Sequence, residues 1–301
     1  MSGTTDRATR TVAAKPGAMA FFGKRSVRGY LGRIIVYLLL IGGAVVLMMP
    51  LAWLLSSSLK PSGLIFVVPP RWIPNPIAWE NYSKVWQMIP FGLYIRNTLF
   101  MTVMCIIGAS ASAAVVAFGF ARLRFPGRDL LFLVLLSTIM IPEQVTLIPQ
   151  YVGFRILGWL DTYYPLIVPA FFGGGAFNIF LLRQYYMRLP LELDDAARID
   201  GCSTFGIFRR ILLPQSRPAL GVIAIFLFMG NWNAFFLPLI YLNSPAKYTL
   251  ALGLNLFRGT QYTAWNLLMA ASTMTALPCI VLYFIAQRYF IQGIVFTGIK
   301  G

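Results

Sequence analysis

Pro190-Leu-Glu-Leu-Asp-Asp-Ala-Ala-Arg-Ile-Asp-Gly-Cys-Ser-Thr-Phe-Gly-Ile-Phe-Arg-Arg-Ile-Leu-Leu-Pro214 separates two long apolar segments with charge. It holds four of the chain's nine acids and three of its 25 basic residues. A stretch this charged is too costly to place in lipid, so it belongs in water beside a membrane. Its local signals read as helix, break, helix. Pro190 suits a first helical position, and Glu192, Asp194 and Asp195 put negative charge where the helix dipole favours it. Gly201 fits the left-handed residue that ends a helix. Ser203 or Thr204 can cap a second helix, in which Phe205, Phe208 and Leu212 share a face. Pro214 and Pro218 mark the passage into the next apolar segment.

Composition sets the frame. Of 301 residues, 58% are hydrophobic and 11% charged, which points to a membrane protein rather than a large soluble domain. The net charge of +16 would suit a nucleic-acid partner only if it lay on a soluble face. Basic residues flanking membrane spans explain it without nucleic acid. Cys105, Cys202 and Cys279 are isolated, with no CxxC pair and no disulfide framework. Histidine is absent, which removes histidine metal sites and Ser-His or Cys-His catalysis together. No GxxxxGK[ST], GxSxG or HExxH motif occurs, so the chain has no recognisable means of holding ATP and no hydrolase centre.

Six apolar runs follow one another: roughly 34–55, 95–120, 130–148, 164–182, 220–242 and 267–287, each close to the length a bilayer core requires. The reading is an all-α integral membrane protein with six spans. Residues 1–33 form a basic tail, 34–92 the first span with a Pro- and Trp-rich polar segment, 93–290 the core including the charged loop 183–217, and 291–301 a short end. The first apolar run has no small-x-small cleavage site after it, so a retained anchor is preferred to a cleaved signal peptide. If both termini are cytoplasmic, eighteen of the basic residues fall inside and seven outside. That asymmetry puts the charged loop in the cytoplasm.

Asp195-Ala196-Ala197, Gly201 and Ile211-x-Leu213-Pro214 resemble the Glu-Ala-Ala loop of permease subunits in binding-protein-dependent ABC importers, with the family's spacing throughout and Asp195 in place of the usual Glu. Ser58-Leu59-Lys60, Asn81-Tyr82, the basic turn Ala121–Arg128, Asn231-Trp232-Asn233, Tyr248-Thr249 and Gly298-Ile299-Lys300-Gly301 resemble the shorter six-span permease of the maltose-transporter type. The resemblance implies a type I importer fold with no cofactor and no catalytic residue in this chain. It also implies a second, homologous permease, two cytoplasmic ATP-binding subunits and an extracytoplasmic solute-binding protein as partners. The loop residues Asp195, Ala196, Ala197, Gly201, Phe205, Phe208, Ile211, Leu213 and Pro214 would then couple to an ATPase subunit, with Ala196 and Ala197 as the small face that lets the backbone approach.

Polar groups inside the spans are candidates for a solute path: Glu143, Asn178, Asn231, Trp232 and Asn233. Each has an ordinary alternative. Glu143, set between Pro142 and Pro149, is either a wall of the path or a solvated residue near the outer surface, and intramembrane Asn is commonly glue between helices. The segment from Asn243 to Trp265, with Tyr248, Leu254, Phe257 and Arg258, is the candidate contact for a binding protein, against an ordinary interfacial loop with aromatic anchors. Rival readings are an ABC permease for glycerol phosphate, a polyol, an amino acid or a polyamine, and an ion-coupled transporter. The ion-coupled reading calls for acid relays and inverted repeats, and the sequence has one intramembrane acid and no convincing repeat.

Overall fold

The computed structural model describes residues 27–259 and 262–295, with side chains from Gly32 to Gln287. The basic tail before residue 27 and the terminal Gly298–Gly301 marker lie outside the described residues. The chain divides after Ala52 into two units. The described part of the first is helix α1, Val27–Ser58, which runs on into the second and contains Pro50. Its stretch 34–55 carries no charged residue, as suits a helix surrounded by lipid or other helices.

The second unit is helical throughout, with no strand among the described residues. Its helices are α2 Glu80–Met88, α3 Phe91–Arg122, α4 Arg128–Ser137, α5 Glu143–Ile156, α6 Tyr164–Ile167, α7 Ala176–Arg188 and α8 Glu192–Ile199. They continue as α9 Thr204–Ile207, α10 Leu213–Gln215, α11 Arg217–Trp232, α12 Phe236–Tyr241, α13 Leu250–Leu254 and α14 Trp265–Val295. Four segments are long and apolar enough to cross a membrane: 32–58, 91–122, 164–188 and 265–287, of which 164–188 is interrupted between α6 and α7. Two more arise if bent pairs count as spans, giving up to six.

One bent pair covers 128–156, and the other joins Thr204–Gln215, from the charged loop, to Arg217–Trp232 at 71°. The run expected at 130–148 is two helices meeting at 96° around Ile141 and Pro142. Proline has no N–H to continue the ladder, and Pro142 instead precedes α5 in extended conformation (ψ 137°). The run expected at 220–242 ends as a helix at Trp232 and resumes at Phe236. Asn231-Trp232-Asn233 therefore terminates a helix rather than sitting in the middle of one.

α3 is the axis. At 1.5 Å per residue its 32 residues reach about 48 Å, enough to cross a bilayer and protrude. Its buried Ala109, Ala113, Ala114 and Ala117 are small, which lets other helices lie close. Gly174 shows how close: a β-carbon there would come within 2.3 Å of the Ala109 carbonyl oxygen. Gly173, Gly174 and Gly175 all have positive φ, so the chain unwinds beside α3 before α7 begins. Asn178 closes this turn by donating to the Gly174 carbonyl at 2.7 Å.

Apolar cores form along α3, the smallest at its middle, where Met101 and Cys105 meet Ile167. Around its C-terminal half, Phe118, Phe132, Ile179, Leu182, Tyr186, Ile207, Phe208, Leu212 and Ile223 pack with the alanines. Around its N-terminal half, Val85, Phe91, Tyr94, Trp232, Leu250, Phe257 and Leu268 form another. At this second end the Ser-Leu-Lys and Asn-Tyr markers meet. Asn81 donates to the Ser58 and Lys60 carbonyls at 2.9 Å each and accepts from Asn266 at 2.8 Å. Ser58 Oγ and Tyr82 OH lie 2.8 Å apart, and Lys60 Nζ stands 4.0 Å over the Trp53 ring. These markers therefore join the end of α1 to α2 and α14.

Candidate functional site

The charged loop lies at the Arg122 end of α3. α7 stops at Leu189, whose extended backbone (ψ 136°) precedes Pro190. α8 begins at Glu192, two residues later than the sequence suggests, because Leu191 supplies the first carbonyl, accepting from Asp194 and Asp195 N–H. Its end is a Schellman motif. Gly201 N–H reaches the Arg198 carbonyl at 3.0 Å and Cys202 N–H the Ala197 carbonyl at 2.8 Å, with Gly201 at φ 77°. Ser203 then caps α9, its hydroxyl accepting from Gly206 N–H at 3.1 Å. Phe208–Leu212 widens into a π turn before Pro214, and α11 leaves at 71° to the helices before it.

The loop has two opposite faces. Asp194, Ala197, Ile207, Phe208 and Leu212 are buried in the chain's own core. Phe208 stands 5.2 Å from Phe118 between ring centroids. Asp195 and Ala196 are exposed, together with Leu191 (58%), Ile199 (86%) and Phe205 (65%). Two expectations change accordingly. Ala197 is not part of an outward small face with Ala196, because one helical step turns it onto the core. Phe205 and Phe208 do not share a fate: Phe205 faces outward and Phe208 inward. Ile211 and Leu213 are half-buried and Pro214 exposed. Ile199 belongs with the outward group and was not singled out from sequence; its signal is the i, i+4 spacing from Asp195.

Arg122, from the last turn of α3, holds this loop in place. Its Nε lies 3.2 Å from Asp194 Oδ2, with the two side chains 3% and 7% exposed. Its Nη2 donates to the Leu189 carbonyl at 2.9 Å. Removing one partner of a buried pair typically costs about 3–5 kcal/mol, because the other charge is left uncompensated. Beside it, Arg183 donates to the Phe120 carbonyl at 3.3 Å and stacks 4.1 Å over the Phe132 ring.

The intramembrane polar candidates do not converge on one cavity. Trp232 is 2% exposed, stacked on Phe228 at 5.3 Å, and donates to the Thr275 carbonyl at 3.0 Å. It is a core residue. Asn178 is occupied by the glycine turn. Asn231 and Asn233 each donate to the carbonyl four residues back at 2.8 Å, Asn233 remaining exposed. Glu143 is exposed at the first position of α5, inside the 96° bend, where the helix dipole favours its charge.

At the Phe91 end of α3, the candidate contact segment is strapped down. Asn97 Nδ2 donates to the Ala246 and Tyr248 carbonyls at 3.0 Å each, and Leu250 N–H to Thr98 Oγ1 at 2.7 Å. Asp161, at φ 53°, accepts from Asn243 N–H (3.0 Å), Ser244 N–H (2.9 Å), Ser244 Oγ (2.5 Å) and Lys247 Nζ (2.9 Å). The Ser244 hydroxyl first, then Lys247, holds its carboxyl well below the usual carboxylate range. Phe257, expected to touch a binding protein, is 1% exposed and packs in the core, whereas Arg258 and Leu256 are exposed. Gly253 is also internal, since a β-carbon there would meet the Tyr94 ring at 2.2 Å. Leu254, Arg258 and Trp265 line a cavity of about 400 Å³ with Asn255 and Ser272.

These features belong to a membrane-embedded transporter subunit, and comparison with known proteins agrees. Residues 110–295 match the family of binding-protein-dependent transport system inner membrane components, and the chain belongs to that family. It is 32% identical over 276 residues to a probable ABC transporter permease, YurM, of Bacillus subtilis, covering 90% of each chain. It is 32% identical to the arabinooligosaccharides permease AraQ of Halalkalibacterium halodurans, over 89% of this chain and 98% of that one. It is also 31% identical to the sn-glycerol-3-phosphate permease UgpE of Yersinia pestis, over 87% and 95%. A bacterial ABC transporter that imports the acidic polysaccharide alginate superposes with a TM-score of 0.78 at 23% identity, over 88% of this chain and 98% of that one. The protein is a permease subunit of the inner membrane.

Proposed function

We propose that this permease moves a sugar or oligosaccharide inward, driven by ATP hydrolysis in separate subunits that dock on the exposed face of α8. The observation that carries the reading is the two-faced loop. Asp195, Ala196 and Ile199 are exposed on a short helix flanked by exposed Leu191 and Phe205, and the opposite face of that helix is buried in the chain's own core. Exposed large apolar groups in a charged setting suit a protein partner. In this arrangement the Arg122 end is cytoplasmic, in line with the excess of basic residues there. The Phe91 end faces outward, where a solute-binding protein meets Leu256 and Arg258, and a second, homologous permease completes the path. An oligosaccharide is favoured by AraQ and by the alginate importer; UgpE keeps glycerol phosphate as the alternative.

The test is purification with the products of neighbouring genes, then ATPase assay with binding protein loaded with sugars or with glycerol phosphate. Stimulation by a saccharide-loaded binding protein supports the reading. Stimulation by glycerol phosphate alone replaces the solute, and no associated ATPase contradicts the mechanism.

Glu143 is the exposed acid at the 96° bend and is assigned to the solute path, where it accepts hydrogen bonds from hydroxyls. Hydrogen bonds to a charged group contribute about 1.5–3 kcal/mol, so Glu143→Gln is expected to lower uptake about ten-fold while assembly stays normal. Uptake at the wild-type rate would leave Glu143 as a helix-terminal acid only.

A further inference from the structure

We infer that Arg122 is the joint through which displacement of α8 reaches the membrane bundle, with Asp194 as its counterpart. The inference rests on α8 being the ATPase-docking element. α8 is tied to the rest of the chain at few points, and Arg122 grips both sides of the elbow that precedes it. One guanidinium nitrogen holds the Leu189 carbonyl at the end of α7, and another faces the Asp194 carboxylate within α8. A push on α8 therefore acts on α3 and α7 through this buried pair as well as through the packing of Ala197. These two helices already lie against each other along the alanine face, so they move together. Arg183 extends the same unit to α4, reaching Asp129 at 4.0 Å.

The geometry separates this role from plain anchoring. Apolar packing through Ala197, Phe208 and Leu212 already fixes the loop to the core. Arg122 Nε and Asp194 Oδ1 nevertheless lack an in-line hydrogen bond, although both are buried. The pair is thus incompletely satisfied in this conformation. A buried pair left in this state is sensitive to how α8 is set against α3, because an in-line bond would require the two groups to be re-aimed. The pair is also set apart from the outward face: Asp194 is buried, and its neighbour Asp195 is exposed.

The test uses the assembled complex in lipid nanodiscs with the ATPase subunits and the loaded binding protein. The readouts are the ATPase subunits retained and the ratio of stimulated to unstimulated hydrolysis. Asp194→Asn should retain the ATPase subunits and lower that ratio at least about five-fold, a loss of coupling free energy within the range typical between linked sites. Asp194→Glu, which keeps the charge, should restore much of the ratio. Because Asp194→Asn leaves Arg122 charged and unpaired, the double variant Arg122→Gln with Asp194→Asn removes both charges; it should assemble and remain uncoupled. Full stimulation in the double variant would overturn the inference, since the pair would then serve stability alone. Loss of the ATPase subunits from an inserted double variant would also overturn it, because the pair would then support docking. A wild-type complex that never associates with an ATPase fails differently: it removes the docking reading on which the inference rests.

Discussion

Gly201→Val should leave the chain inserted in the membrane, deplete its ATPase subunits and abolish solute uptake. Gly201 sits at φ 77°, and a β-carbon there would meet nothing within 4 Å, so the whole effect is backbone. The left-handed conformation costs an ordinary L-residue about 1–2 kcal/mol, and a β-branched residue tolerates it worst. Relief requires breaking the two Schellman hydrogen bonds from Gly201 and Cys202, which re-aims the segment after α8. Phe208, buried against Phe118, resists that movement. The strain therefore falls on α8 and on the exposed Phe205. Gly201→Asn is the control, because Asn accepts the left-handed region. It should retain most uptake, and equal loss in both variants would mean that the small size of Gly201, not its φ, matters.

Asp161→Asn should loosen the strap that holds residues 243–248 at the Phe91 end of α3. Asn keeps the positive-φ preference, so the backbone at 161 is undisturbed and the change isolates the carboxylate. Lys247 and the Ser244 hydroxyl lose their charged acceptor. Each such hydrogen bond contributes about 1.5–3 kcal/mol, so amide exchange at Asn243 and Ser244 should accelerate at least about ten-fold. Stimulation by the binding protein should fall in parallel if Arg258 and Leu256 meet it. The pH dependence has a defined sign. The folded carboxyl titrates below its unfolded value of about 3.9, so the strap contributes fully above that pH. Its contribution is lost only as pH falls toward the depressed value, and protection at Asn243 should be flat from neutral pH down to about pH 5. Loss of protection near pH 6 would show that Asp161 is not the group holding the loop.

The parts of the fold that depend on local chemistry were legible in the sequence. Gly201 had to end a helix, and Ser203 had to begin one, because left-handed geometry and capping are properties of single residues. The length and apolarity of the runs indicated a membrane bundle of up to six crossings. What depends on three dimensions was hidden. Pro142 and Pro149 signalled irregularity between 130 and 148, yet nothing local shows that Pro142 divides the run at 96° while Pro149 is absorbed within α5. The direction in which Ala197 faces follows from where α8 lies on the core, which no periodicity over eight residues can determine. Trp232 is a candidate for the solute path and Phe257 for the binding-protein contact on sequence alone, because aromatic residues serve cores and surfaces alike. Arg122 read as one member of a basic turn. Its partner lies 72 positions further on, and only the packing of α3 against α7 brings the two together.

On the proposed reading the exposed face of α8 receives the ATPase, and Ile199 probes that contact. At 86% exposure, Ile199 supports no internal packing, so Ile199→Glu should alter the chain's own stability by no more than about 0.5 kcal/mol. In a docked complex the new carboxylate would be buried without a partner, at a cost of about 3 kcal/mol or more, which is at least a hundred-fold in affinity. The measurement is the amount of ATPase subunit recovered with the detergent-purified permease, wild type against Ile199→Glu, at equal membrane insertion. Near-complete loss of the ATPase from the variant is expected. Equal recovery from both would contradict it.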